Sequence, residues 1–339
     1  MNVILGTNVP EAYCEAFWKM RVWAIEEQSR NGPVMSAAMP VMLEILHPIE
    51  RVLFDPVRNA NPFFHVMETV WMFAGSNDVR FLEFYNARYR EYADPGSDTV
   101  HGAYGYRWRD HFGVDQIERV VGVLEQDPAS RRAVISMWDP SSDLEKHADV
   151  PCNTSIMFRI VGKKLHMTVI NRSNDLVWGM LGANAVHMTY LHELVALALG
   201  KDVGIYRVFT NNLHVYKNLE NFNEVWQTVS AYDPYRAGKV KPLPLLEKGE
   251  NWRDLLDDCE RFVYLKQRGN FKTAWMMNVV LPIHCAYADR KERKGDGMKF
   301  VNLIVASDWR MACSEWVQRK IRSSSTSTGP SPATSTGTT

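Results

Sequence analysis

The sequence predicts an α+β fold, and three observations carry that prediction. β-rich runs and apolar helical runs are interspersed without regular strand–helix–strand alternation, which argues against a doubly wound parallel sheet. Ser155 to Ile160 and Leu165 to Ile170 flank Gly162-Lys163-Lys164, the pattern of a β-hairpin. Ala185 to Leu199 is apolar on nearly every side and stops at Gly200, so it reads as a helix buried inside the fold.

Taken in order, Glu11 to Arg30 reads as an amphipathic helix with Ala12, Phe17, Val22 and Ile25 near one face. Phe63 to Gly75 is a second, apolar helix ending at a glycine cap. Arg132 to Trp138 is a β-rich run closed by the turn chemistry of Asp139-Pro140 and Ser141-Ser142. The hairpin and buried helix follow, then a strand over Val203 to Phe209. A last helix is expected over Ala312 to Ile321. No Pro/Gly-rich linker divides residues 1–321, which predicts one domain. Residues 322–339 are a Ser/Thr/Gly/Pro tail with too few apolar residues to bury, expected to be disordered.

The 339 residues are 46% hydrophobic, enough for a sizeable core. Basic and acidic side chains balance at 39 each, so no overall charge draws the chain to nucleic acid or an anionic membrane, and neither partner is expected. Anion binding must come from local basic clusters. The five cysteines, Cys14, Cys152, Cys259, Cys285 and Cys313, are scattered, odd in number and without a CxxC pair. That pattern opposes a disulfide framework or a metal site and favours a reducing compartment. No signal-like N-terminus or bilayer-length apolar stretch is present, so a cytoplasmic location is expected.

Four short motifs are candidates for chemistry. Pro151-Cys152-Asn153 lies where a polar loop meets a strand, a place that can hold a thiol at a cleft edge. Arg131-Arg132 precedes a β-run. Arg172-Ser173-Asn174-Asp175 combines a guanidinium fork, a hydroxyl, an amide and a carboxylate, a set suited to a polar ligand. His214-Val215-Tyr216 places two polar rings on one face of an extended segment. Each has a bland reading as well: a small buried hydrophobe, a solvated edge, a capped turn, a satisfied core pair.

In order and spacing, however, SRRAVISMW, PCN, NRSND, the buried helix and HVY resemble the thymidylate synthases. Ser29-Arg30-Asn31-Gly32 looks like that family's phosphate loop. Glu68-Thr69-Val70-Trp71 and Ala103 to Arg109 look like two of its N-terminal segments. The resemblance spans roughly residues 10 to 220. It implies a thymidylate synthase-like mixed sheet with surrounding helices. It also implies a pyrimidine nucleoside monophosphate as substrate and 5,10-methylenetetrahydrofolate as cofactor. Cys152 would add to C6 of the ring as a thiolate, which needs positive surroundings. Arg30, Arg131, Arg132, Arg172 and Ser173 would bind the phosphate, with the arginine pair shared across a homodimer interface. Glu68 would organise water and move protons, and Tyr104 would assist at C5. His214 and Tyr216 would hold the sugar, and Asp175 the pterin. Asn171 stands where the family usually has Gln, and Asn153 where it often has His.

Three departures shift the expected outcome. The family's uracil-reading asparagine aligns, without gaps, with Ala183; a one-residue slip would restore Asn184 and break the match of the following helix. Alanine offers no hydrogen bond to the base, so uracil specificity is expected to be lost. Tyr89 and Tyr92 replace two tryptophans that pack over the folate, bringing hydroxyls that hold water. Where the family has a short apolar C-terminal lid, this chain is expected to run into a helix and tail, leaving water less excluded. Together these resemble the cytidylate 5-hydroxymethylases, above all the CMP enzymes of nucleoside-antibiotic pathways such as that of mildiomycin. CMP is then favoured over dCMP. Asn174, Asp175 and Asn184 are candidates for the group that protonates cytosine.

Overall fold

The computed structural model describes residues 2–326, with side chains to residue 322, and arranges ten strands in two sheets. In chain order these are β1 (Asn2–Gly6), β2 (Ala24–Ser29), β3 (Gly32–Ala37), β4 (Val41–Ile45), β5 (Val134–Ser136), β6 (Asn153–Val161), β7 (Lys164–Asn171), β8 (Asn174–Asp175), β9 (Asp202–Thr210) and β10 (Leu213–Tyr216). The larger sheet runs β1-β4-β9-β7-β6-β5. It is mixed: β1/β4 and β7/β9 are parallel, the other pairs antiparallel. The smaller runs β2-β3-β10-β8. With helices between the strands, this is the α+β thymidylate synthase-like fold that the sequence predicts.

Alternation along β7 shows how the larger sheet is used. Leu165, Met167 and Val169 are buried, and His166, Thr168 and Ile170 face the other side. The buried face packs on helix Asn184–Ala198, which hides every side chain from Ala185 to Ala196. A fully buried Leu, Val or Met contributes about 1.5–3 kcal/mol. The opposite face leaves Val3, Leu5, Val134 and Met157 exposed. The hairpin of β6 and β7 turns at Gly162, whose φ of +61° a side chain would strain.

Several expected boundaries change. The first helix spans Val9–Trp23, capped by Asn8, and the chain turns extended at Ala24 into β2. Pairing of β2 with β3 at six positions overrides the helical periodicity, so Val22 and Ile25 are exposed instead of lining one buried face. The strand after Arg131-Arg132 is only three residues long. The last helix runs Ser307–Thr326, so the expected tail boundary at residue 322 falls inside it; residues 327–339 lie outside the described residues.

Candidate active site

Cys152 sits partly buried immediately before β6. The Arg172 backbone N–H donates to its carbonyl at 2.9 Å. The Arg172 guanidinium donates through Nε to the Pro151 carbonyl and through Nη2 to the Val150 carbonyl, both at 3.0 Å. One residue therefore clamps the thiol-bearing loop from two directions. Behind it, buried Asn153 donates its amide to Asn171 Oδ1 at 3.1 Å and to the Ile170 carbonyl at 2.9 Å. The sequence motifs around Cys152 and Arg172 are thus joined across the β6/β7 hairpin.

Charge around the thiol is mixed. Burial pushes the Cys152 thiol up; Arg172 and Arg30 oppose it, while Asp149 and Asp175 reinforce it. The arginines favour the thiolate, as expected from sequence, but burial and the two carboxylates outweigh them. Arg131 and Arg132 are exposed just before β5. Tyr104, at the start of helix Tyr104–Arg109, is close enough for its phenol to feel the Cys152 and Asp149 charges, and the Asn153 N–H faces its hydroxyl.

Glu68 projects from helix Pro62–Phe73 and is buried. The Tyr89 hydroxyl donates to its Oε1 at 3.1 Å, and His187 Nε2 lies 3.2 Å from its Oε2. Burial pushes the Glu68 carboxyl up to about 8, with Asp149 adding to the shift and Tyr89 opposing it. It is an acid at neutral pH. Tyr89 and Tyr92, both expected against folate, divide: Tyr89 is buried on Glu68 and Tyr92 stacks beside it at 5.3 Å, half exposed.

The smaller sheet carries the other polar candidates. Arg30 is exposed on the turn between β2 and β3, and Asn31 Nδ2 reaches 3.5 Å from the Tyr216 hydroxyl. His214 and Tyr216 on β10 are 4.9 Å apart, edge to face. Asn212 Oδ1 takes both the Ser173 hydroxyl at 3.4 Å and His214 Nδ1 at 2.9 Å. Asp175 lies on β8, beside His214, and its Oδ1 accepts the Val177 N–H at 2.7 Å. Burial pushes its carboxyl up to about 6. A kinked segment, Leu176–Ala183, follows. A Cβ at Gly179 would lie 2.5 Å from Asn174 Oδ1 and 3.4 Å from Asn184 Nδ2, so those two amides converge over one glycine. Ala183, next to Asn184, is partly exposed.

Comparison with known proteins gives this arrangement a family. The sequence pattern of the thymidylate synthases matches residues 58–236, more than half of the chain. The chain belongs to the thymidylate synthase family. Deoxyuridylate hydroxymethyltransferase of Pseudomonas phage M6 is 39% identical over 336 residues, covering 94% of this chain and 95% of the phage protein. The protein of the same name from Delftia phage PhiW-14 is 32% identical, covering 69% and 68%. A putative thymidylate synthase of Methanothermobacter marburgensis is 36% identical over 37% of this chain and 55% of its own.

In this thymidylate synthase family member a cavity of about 300 Å³ opens beside Glu68's helix, lined by Arg51, Phe54, Arg58, His65, Gly182 and Trp309 among others. Met311, Ala312, Glu315 and Arg319 of the C-terminal helix close one side. The helix expected at the C-terminus in place of the family's lid is therefore present and forms that wall. Arg58 is buried, donates Nε to the Val177 carbonyl at 2.8 Å and leaves both terminal nitrogens without a partner. Its guanidinium stacks 4.2 Å from the Trp178 ring. Arg58, Asp149 and His187 were not legible as site residues. Asp149 sits in a charged loop like its neighbours, His187 in an apolar helix, and only long-range packing turns them inward.

Proposed function

We propose that this chain adds a one-carbon unit to C5 of a pyrimidine nucleoside monophosphate and lets water capture it, leaving a 5-hydroxymethyl group, with dUMP as the first substrate. The observation that carries this reading is buried Glu68 between the Tyr89 hydroxyl and His187: a proton-handling carboxyl with polar neighbours, suited to holding water. The phage relatives that match along most of their length are named for that reaction on deoxyuridylate.

Methylenetetrahydrofolate fits the cavity. The unpartnered Arg58 nitrogens in the cavity suit a carboxylate tail and its apolar walls an aromatic linker, while Tyr92 and Asp175, outside the cavity lining, would hold the pterin. When bound, it supplies a one-carbon unit at the oxidation level of formaldehyde. The chain's own residues do the rest. Cys152 adds to C6, which makes C5 electron-rich. Tyr104 sits where the C5 proton leaves. Arg30, Arg172 and Ser173 hold the phosphate, and His214 and Tyr216 the sugar. The Asn174 and Asn184 amides can present a donor and an acceptor to a uracil edge; Asn171 supports the base indirectly through Asn153.

A second reading, a cytidylate substrate with CMP ahead of dCMP, is favoured by Ala183, which offers no hydrogen bond at the ungapped base-reading position. In that reading Asp175, close to neutral pH in its titration, can donate a proton to cytosine. In both readings the exposed apolar face of β1, β5 and β6 is buried by a second copy, and Arg131 and Arg132 of one copy reach the other's phosphate site. The free cysteines fit a reducing, cytoplasmic setting.

Incubation with methylenetetrahydrofolate and each of dUMP, dCMP, UMP and CMP, followed by product mass, tests the reading. A gain of CH2O on dUMP supports it. A gain of CH2 with formation of dihydrofolate overturns it, and CH2O on CMP alone selects the second.

A further inference from the structure

Two buried polar groups in this molecule meet without a directed hydrogen bond. Glu68 Oε2 has no donor, and neither ring nitrogen of His187 has a well-aligned partner, yet Oε2 and Nε2 are 3.2 Å apart. His187 is 1% exposed, from a helix otherwise apolar on that stretch. Unpaired buried polar groups destabilise a fold, so packing alone gives no reason for them. The charge state explains the contact. Burial holds Glu68 protonated, up to about 8, and holds the imidazole neutral, down to about 3. A carboxylic acid facing a neutral imidazole is a proton donor facing an acceptor. The His65 backbone carbonyl also faces the ring, and an imidazole N–H turned to it leaves the other nitrogen a lone pair.

We propose that His187 is a positioning residue: its Nε2 accepts a hydrogen bond from the protonated Glu68 Oε2, which leaves Oε1, beside Tyr89, to accept a hydrogen bond from the attacking water. The step balances. The water oxygen bonds the methylene carbon on C5. The exocyclic π pair moves into the ring, re-forms the C5–C6 double bond and expels the Cys152 thiolate. The water's proton passes through solvent to the departing thiolate, while Glu68 keeps its own proton on Oε2, facing His187. No oxidant or reductant is needed, consistent with water in place of hydride as the last reactant. The groups facing the pair are Tyr89 and Tyr92 from the 87–92 turn, Asp149 from the Cys152 loop, and His65 one turn earlier on Glu68's own helix. His65 is held neutral by burial and by Arg58.

The catalytic half of this inference rests on the hydroxymethylase reading; the pairing itself does not. The full chain, without substrate, is examined by infrared difference spectroscopy. Glu68→Gln identifies the protonated carboxyl band of Glu68. His187→Phe is expected to move that band to higher frequency by removing its acceptor; an unmoved band overturns the pairing, whatever the substrate proves to be. Turnover is then compared in His187→Phe, which removes the acceptor, and in His187→Gln, whose side-chain carbonyl can still accept from Oε2 and is expected to restore part of the rate. In His187→Phe the hydroxymethyl rate is expected to fall about tenfold, the scale of one lost hydrogen bond, with tritium release from the C5-labelled nucleotide falling less. The basic limb of the pH–rate profile is expected to shift. A wild-type rate and profile in His187→Phe overturn the positioning role. If the wild type hydroxymethylates none of the four nucleotides, the function reading fails and the band test alone decides the pairing.

Discussion

The Tyr89 hydroxyl donates to Glu68 Oε1 at 3.1 Å inside the core, where neither group has access to bulk water. A phenol therefore directs a carboxyl that burial keeps protonated, at a position where a tryptophan would bring no hydroxyl. Tyr89→Phe is expected to raise the Glu68 carboxyl further and to lower hydroxymethyl formation by about tenfold or more, with the fold intact. Product mass and circular dichroism check it; unchanged turnover would remove Tyr89 from the site.

Glu68 also makes stability depend on pH. Its carboxyl is raised from 4.5 to about 8 by folding, so the folded state binds the proton more tightly. The stability this gives is fully present below 4.5 and lost as pH rises through about 8. Ionised burial costs roughly 5 kcal/mol above that range, at about 1.36 kcal/mol per unit. Glu68→Gln is expected to gain melting temperature over the wild type as pH rises from 5 to 9, about that span of the titration. Parallel melting curves across that span would show that Glu68 is not buried as an acid.

Asp149 presses against Gly102, where a Cβ would lie 2.4 Å from its Oδ2, and no described group donates a hydrogen bond to its carboxylate. Its negative charge holds the Cys152 thiol up, and Arg172 holds it down. Asp149→Asn is therefore expected to make Cys152 alkylate at lower pH, and Arg172→Gln at higher pH. The pH dependence of iodoacetamide labelling at Cys152, read by peptide mass, checks both. Shifts in the opposite directions would invert the electrostatic picture.

Arg58 carries a buried charge with two unpartnered nitrogens. Arg58→Met keeps the stem's volume and removes the desolvation cost, so the melting temperature is expected to rise. Folate affinity is expected to fall about tenfold or more, the cost of losing a charge-assisted bond. Calorimetric titration with tetrahydrofolate checks it, and unchanged affinity would move the folate tail elsewhere.

Cys152→Ala is expected to abolish both product and tritium release from C5 while leaving stability within about 1 kcal/mol of wild type, since the thiol is only partly buried. Continued tritium release would exclude thiol addition.

By itself the sequence determined the β6/β7 hairpin, the buried helix before Gly200 and the ordered motifs from Arg131 to Tyr216. Each is local: a turn between alternating runs, an apolar period, a fixed spacing. Where local signals conflict with pairing, it misled. Glu11 to Arg30 has a helical period throughout, yet residues from Ala24 onward satisfy their backbone on β3. Only the tertiary structure decided what surrounds the reacting groups. Glu68 meets Tyr89 from a later turn and His187 from a helix far along the chain, and Asp149 and Arg58 become site residues because their partners are distant in sequence. Burial and field depend on those long-range neighbours, so the protonation of Glu68 and of Cys152 is a property of the fold and not of any motif.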